Sequence, residues 1–377
     1  MYNFIRRVLK KIIMSLPQKY ILLESKPDYA DSAMSLYNYI VNSDIGKKYT
    51  PVWVIDDKSN YNRKYKSLVF STKFFDSLLR RYYFLRAAAI VFGNVNINKT
   101  YERQKSVFLT HGSKSKDTVD KYRMPENLDY ILIQANMFKE TAKKGYSLSD
   151  HTKMITLGFP RNDDLLLPNE IDRQKIFNKK FNKLIVWYPT FRQHKGDGRN
   201  VSSISLPVIH SEEAALAINE KAKKMGILIA LKPHFAQDVS FIKNNNLSNI
   251  IIFDDEFLKK KNIRSYQLLS LADSLLTDYS SVYYDYLLCD RPIGLVWEDY
   301  EEYKKGQGFA LDPDIVYSGG EKIFNVEDFC AYLERIANGE DILREERTKI
   351  KNLSNVYQDA NSSKRVAEFI INLIESN

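Results

Sequence analysis

The feature that most limits how this 377-residue chain can fold is a repeated alternation of short apolar runs with amphipathic stretches. Residues 20–24, 50–56, 87–92, 106–110, 130–133 and 154–157 read as buried strands, and residues 32–43 as a helix between the first two. A polar stretch over 168–183 interrupts the pattern, which then restarts. Strands are expected at 184–188, 227–231, 249–253, 274–277 and 293–296, with helices at 211–224, 265–272 and 280–289. Strands that alternate with helices and read as continuous apolar runs belong to parallel sheets covered on both faces. Two such series in one chain predict two Rossmann-like α/β domains, at 18–175 and 176–377, facing across a cleft. The mostly helical tail over 326–377 is a candidate to pack back on the first domain.

Charge divides along the same line. Residues 1–175 carry 30 Lys and Arg against 18 Asp and Glu, a net +12, whereas the remainder carries 26 against 29, a net −3. A basic half suits a polyanion or an anionic membrane. Nucleic acid is not the expected partner, because no stacking platform is interleaved with the basic residues. Two cysteines, Cys289 and Cys330, are too few for a disulfide framework and fit a reducing, cytosolic setting. With five scattered histidines they also give no reason to expect a resident metal.

Residues 1–17 form a separate expectation. Phe4, Ile5, Val8, Leu9, Ile12, Ile13 and Leu16 recur on one helical face, Arg6, Arg7, Lys10 and Lys11 lie elsewhere, and Pro17 marks the end. Such a helix can lie in the headgroup plane of an anionic bilayer, or dock on its own domain. No apolar run approaches the ~18 residues of a membrane span.

Five polar turns follow expected strands, where ligands of open α/β sheets bind. His111-Gly112-Ser113 follows the fourth strand, so His111 either takes a proton or merely ends the strand. Gly158-Phe159-Pro160-Arg161-Asn162-Asp163 offers Arg161 for a phosphate and Asp163 as a helix cap. Pro189-Thr190-Phe191-Arg192 and Lys232-Pro233-His234 place cations at strand ends. Thr277-Asp278-Tyr279-Ser280-Ser281 opens a helix, which suits a phosphate or simple capping. The chain has no Gly-x-x-x-x-Gly-Lys-Ser/Thr loop, no Gly-x-Gly-x-x-Gly fingerprint and no His-Glu-x-x-His.

Taken in order, these five motifs resemble those of the CDP-glycerol glycerophosphotransferases of teichoic acid and capsule synthesis. Asp290-Arg291-Pro292-Ile293 and Gly308-Phe309 extend the similarity. The resemblance implies a GT-B fold with a donor nucleotide in the C-terminal domain and an acceptor in the N-terminal one. It implies His111 as the base on the acceptor hydroxyl, with His234 as the second catalytic histidine. Arg192, Lys232, Thr277, Asp278, Ser280 and Ser281 would bind the donor, with Gly112, Ser113, Arg161 and Asp163 as further candidates. The donor would be CDP-glycerol or CDP-ribitol, the acceptor a prenyl-diphosphate-linked saccharide or polyol phosphate, and the product CMP. No tightly bound cofactor is implied, and dependence on a divalent cation is left open. The enzyme would sit peripherally on the cytoplasmic face of the membrane. The sequence departs from the family pattern at Ser113-Lys114, at Phe191 and at Lys232-Pro233-His234-Phe235. A different GT-B nucleotide-sugar enzyme is the alternative within the fold, and a nonenzymatic basic nucleic-acid-binding protein the remote one.

Overall fold

The computed structural model describes residues 10–56, 58–69, 74–117, 123–190, 192, 206–233, 239, 242, 245 and 247–376. The chain divides into two compact units. The first comprises Met1–Ser113, Val119–Asp163 and Val356–Asn377; the second comprises Lys114–Thr118 and Asp164–Asn355.

In the first unit, β1 (Tyr20–Glu24), β2 (Thr50–Ile55), β3 (Ser67–Val69), β4 (Ala87–Phe92), β5 (Lys105–Phe108), β6 (Tyr130–Leu132) and β7 (Lys153–Ile155) form a sheet in the order 3-2-1-4-5-6-7. Every pairing is parallel. Successive residues point to opposite faces, so both faces need a core. Ile21, Leu23, Trp53, Ile55 and Val91 line one face, and Tyr20, Leu22, Val54, Ile90 and Phe92 line the other. Helix α1 (Asp31–Val41) buries Leu36 and Ile40 on the first face. Helix α2 (Phe74–Leu85) sends Tyr82, Tyr83 and Phe84 to the second.

In the second unit, β8 (Lys183–Trp187), β9 (Ile227–Leu231), β10 (Ile250–Ile252), β11 (Ser274–Thr277), β12 (Ile293–Val296) and β13 (Glu321–Ile323) run in the order 10-9-8-11-12-13, again all parallel. Helix α3 (Glu212–Lys224) starts at Ser211, whose hydroxyl accepts the Ala214 N–H at 3.2 Å. Acidic Glu212 and Glu213 at its start and Lys221, Lys223 and Lys224 at its end suit the helix dipole. Helix α4 (Val282–Tyr286) follows β11 directly. Helix α5 (Val326–Asn338) is capped by Asn325 and closed by Gly339 at φ +76°. Ile218 and Ala222 of α3 and Phe329, Leu333 and Ile336 of α5 pack with Ile185, Trp187, Ile229 and Leu231. Burying each Leu, Ile or Phe here is worth about 1.5–3 kcal/mol.

The final helix, α6 (Ser362–Glu375), belongs to the first unit, where Val366, Ala367 and Ile370 pack against the α1 side of the sheet. Phe369 meets Tyr130 edge-on at 5.1 Å. Near the other end of the chain, residues 10–15 are helical, with Ile12 and Leu16 exposed. Among the described residues no helix is long and apolar enough to cross a membrane.

Candidate functional site

In the second unit the polar residues gather where β8, β11 and β12 end. These are sheet neighbours in register: Leu276 lies beside Trp187, and Thr277 beside Leu295. A residue just beyond each strand therefore comes close to the others. Arg192 follows β8, Asp278 follows β11 and Asp299 follows β12. Arg192 is fully buried. Its Nη1 donates to Asp278 Oδ2 at 2.7 Å and to the Thr190 carbonyl at 2.8 Å. Its Nε donates to Asp299 Oδ2 at 2.5 Å and its Nη2 to Asp299 Oδ1 at 3.2 Å.

The two carboxylates are saturated as well. Asp278 Oδ2 also accepts the Thr190 N–H at 2.8 Å, while its Oδ1 accepts the Thr190 hydroxyl at 2.5 Å and the Tyr279 N–H at 2.6 Å. Asp299 Oδ1 accepts the Tyr279 hydroxyl at 3.1 Å. Tyr279 in turn stacks on Tyr303 at 3.7 Å and on Trp297 at 5.7 Å. Burial alone would lower the Arg192 pKa, but Asp278 and Asp299 outweigh it and hold the guanidinium above its ordinary value. Burial, then Asp299, pushes the Tyr279 phenol up and keeps it a donor. A buried charged network is stable only when every member is paired, and this one is.

Arg192 and Asp278, expected to touch the donor, are spent on each other and on Asp299. Thr277 is buried and donates to the Tyr188 carbonyl at 2.8 Å. Ser280 and Ser281 differ. Both are half-buried, and among the described residues neither hydroxyl makes a hydrogen bond. Simple capping therefore does not account for them: Ser281 stands at the start of α4 without capping it. The helix expected over 280–289 is also shorter, with α4 ending at Tyr286 before a 3-10 turn over Leu287–Cys289.

Lys232, at the end of β9, donates from Nζ to the exposed Asp255 at 2.5 Å. His234 lies outside the described residues, as do Phe4, Arg6 and Arg7; Lys10 and Lys11 are described and exposed. Sequence reasoning missed Asp299 and Lys116 altogether, and quoted Tyr279 within its motif without a role. Lys116 lies in the short segment of the second unit that follows the His111 turn, and its Nζ donates to the Thr190 hydroxyl at 3.3 Å. An acidic pair, Glu298-Asp299, directly after an apolar strand was the signal for Asp299.

In the first unit, His111 is exposed just beyond β5. Thr110 before it is buried in the left-handed region at φ +55°, costly for a β-branched residue, and donates from its hydroxyl to the Leu132 carbonyl at 3.3 Å. Gly112 supplies the turn, and the Ser113 hydroxyl donates to Gln134. The first unit's other turn faces inward. Arg161 Nη1 donates to Asp31 at 3.0 and 3.2 Å, and the buried Asp163 carboxylate accepts the N–H groups of Ser362 and Ser363, both at 2.8 Å. Arg161 is thus paired within its own unit instead of presented to a phosphate. Asp163 caps α6, not the next helix along the chain. Among the described residues no group of three His, Cys, Asp or Glu side chains is placed to hold a metal ion.

Two doubly wound parallel sheets, one carrying polar turns at the carboxyl ends of three adjacent strands, make a fold of the GT-B type. The wall teichoic acid polymerase TagF has this fold, with a TM-score of 0.72 and 18% identity over 100% of this chain and 96% of that one. The chain belongs to the CDP-glycerol:poly(glycerophosphate) glycerophosphotransferase family, whose model matches residues 7–372. It is 24% identical to the teichoic acid glycerol-phosphate primase of Bacillus subtilis (strain 168), over 71% of this chain and 64% of that protein. It is also 24% identical to the teichoic acid ribitol-phosphate primase of Bacillus spizizenii, over 66% and 61% respectively. These matches span less than two thirds of either relative.

Proposed function

We propose that this protein transfers a polyol phosphate, glycerol phosphate first, from a CDP-activated donor to a hydroxyl of a lipid-linked saccharide or polyol-phosphate acceptor. The observation that carries this reading is the pair of hydroxyls, Ser280 and Ser281, that make no hydrogen bond among the described residues and are held at a strand end by a buried network. Hydroxyls in this state suit phosphate oxygens. They hold the donor diphosphate together with Lys232 and His234. His111 accepts the proton of the acceptor hydroxyl as that oxygen bonds to the phosphorus carrying the polyol. The bond from this phosphorus to CMP breaks, and CMP leaves with the electron pair. Such transfers depend mainly on alignment and on donors aimed at developing charge.

CDP-ribitol is the second donor to consider, because a ribitol-phosphate primase is also 24% identical, over 66% of this chain. The experiment offers each CDP-polyol with a prenyl-diphosphate disaccharide and follows CMP release. Turnover with CDP-glycerol above that with CDP-ribitol supports the reading. Turnover with UDP-sugars and none with either CDP donor overturns it.

The acceptor calls for a membrane. Residues 1–17, expected from sequence to be basic and amphipathic, and the exposed Leu78 and Leu79 of α2 with the neighbouring Arg80 and Arg81 are the basic, apolar segments proposed to rest on the cytoplasmic leaflet. Deleting residues 1–16 should weaken binding to anionic vesicles more than turnover of a soluble acceptor. Equal vesicle binding by the shortened chain would remove the anchor.

A further inference from the structure

Arg192 and Asp299 are buried and bonded to each other, yet they connect to the turn that carries Ser280 and Ser281. Asp299 grips Arg192 through Nε and Nη2, and Arg192 passes Nη1 to Asp278. Asp278 then fixes both the Thr190 backbone and the Tyr279 N–H, the residue directly before Ser280. A second route runs from Asp299 to the Tyr279 hydroxyl, so Tyr279 is held at its backbone and at the tip of its ring. Its ring is clamped between Tyr303 and Trp297. The Tyr279 carbonyl also accepts the Tyr317 hydroxyl at 3.1 Å, so the backbone leading into the two serines is held through Asp299 on one side and Tyr317 on the other.

One guanidinium is set between two carboxylates, with Lys116 bonded to the Thr190 hydroxyl beside Asp278, and a hydrophobic replacement would be the easier way to build a core. Fully connected polar networks are costly devices, but they fix one geometry. We propose that Asp299, acting through Arg192 and Tyr279, is the positioning residue that sets the Ser280–Ser281 turn for the diphosphate of the donor. This rests on the reading that the two serines hold the donor. Asp299 itself touches no substrate.

The test uses the full chain, with CDP-glycerol binding followed by calorimetry, thermal unfolding measured in parallel, and kcat and KM taken for donor and acceptor. Ser280→Ala/Ser281→Ala comes first and examines the underlying reading: donor affinity should fall at least tenfold, and an unchanged affinity overturns that reading and the inference with it. Asp299→Asn keeps the side-chain shape and one acceptor oxygen. It should weaken CDP-glycerol about tenfold, leave the acceptor KM within twofold, and add less than threefold when placed on the double-serine background. If the serine pair loses donor affinity but folded Asp299→Asn binds CDP-glycerol like the parent, only the positioning role is lost. Equal losses for donor and acceptor, or full additivity with the serine pair, also overturn it. Should Asp299→Asn fail to fold, Tyr279→Phe removes only the hydroxyl contact to Asp299. It is expected to weaken the donor two- to fivefold, and unchanged binding by that folded variant refutes the proposal.

Discussion

Two turns in this molecule have nearly the same promise in sequence and opposite fates in structure. Gly158–Asp163 in the first unit and Thr277–Ser281 in the second each place an aspartate and hydrogen-bonding neighbours after a strand. In the first, Asp163 is filled by two N–H groups of α6 and Arg161 is paired to Asp31. Gly158, at φ +77°, has no room for a Cβ against Ser362, so the whole turn is a socket for the last helix. In the second, Asp278 is equally saturated, but among the described residues the hydroxyls of the two serines beyond it make no hydrogen bond. Residue types alone do not separate a structural turn from a binding one. The deciding fact is whether the polar groups find their partners inside the fold.

The largest effect expected lies on the third turn. His111→Ala should lower kcat by about 10³-fold, the scale of a lost general base, while melting temperature and CDP-glycerol affinity stay unchanged. Full CMP release by that variant would remove His111 from the chemistry. It would also leave the strained Thr110 beside it without a functional reason.

Next in size is Asp163→Ala, which strips two buried, charge-assisted hydrogen bonds from the start of α6. A cost of about 2–4 kcal/mol is expected, read as a lower denaturation midpoint. Donor KM should not move in the folded protein. A raised donor KM at normal stability would erase the contrast between the two turns. Ser280→Ala alone should do the reverse, raising donor KM several-fold for one lost hydrogen bond to a charged group and leaving the midpoint in place.

Much of this architecture was readable beforehand. The expected strands that proved correct are long apolar runs such as Ala87–Phe92 and Ile227–Leu231, where only a doubly covered parallel sheet buries every side chain. The strands that went unread are β3 and β13, three residues each at sheet edges, with Ser67 in one and Glu321 and Lys322 in the other. Edge strands are covered less and so need no apolar run. In the site, the residue types at strand ends were legible, but their partners were not. Nothing local announces that Asp163 meets Ser362 or that Arg192 meets Asp299, because those contacts join segments about 200 and 107 positions apart.

Glu24 sharpens the contrast by the smallest effect. At the end of β1 its buried carboxylate accepts three successive N–H groups, from Gly93, Asn94 and Val95, at 3.0, 3.0 and 3.1 Å. Consecutive N–H groups of this kind form a concavity that commonly takes an anion, and here the chain fills it with its own side chain, as it does with Asp163. Burial pushes the Glu24 pKa up, and the three N–H groups only partly offset this. A carboxyl raised in the folded state binds its proton more readily folded than unfolded, so its stabilisation is complete below the ordinary glutamate range. It is lost as pH rises through the raised value. Glu24→Gln, which cannot ionise, should therefore lose stability relative to the parent as pH is lowered, and compare most favourably at neutral pH. Denaturant midpoints of the two proteins across that range check the sign. A gap that closes on acidification would mean that the N–H groups outweigh burial and that the carboxylate is held ionised, the condition of an occupied anion site.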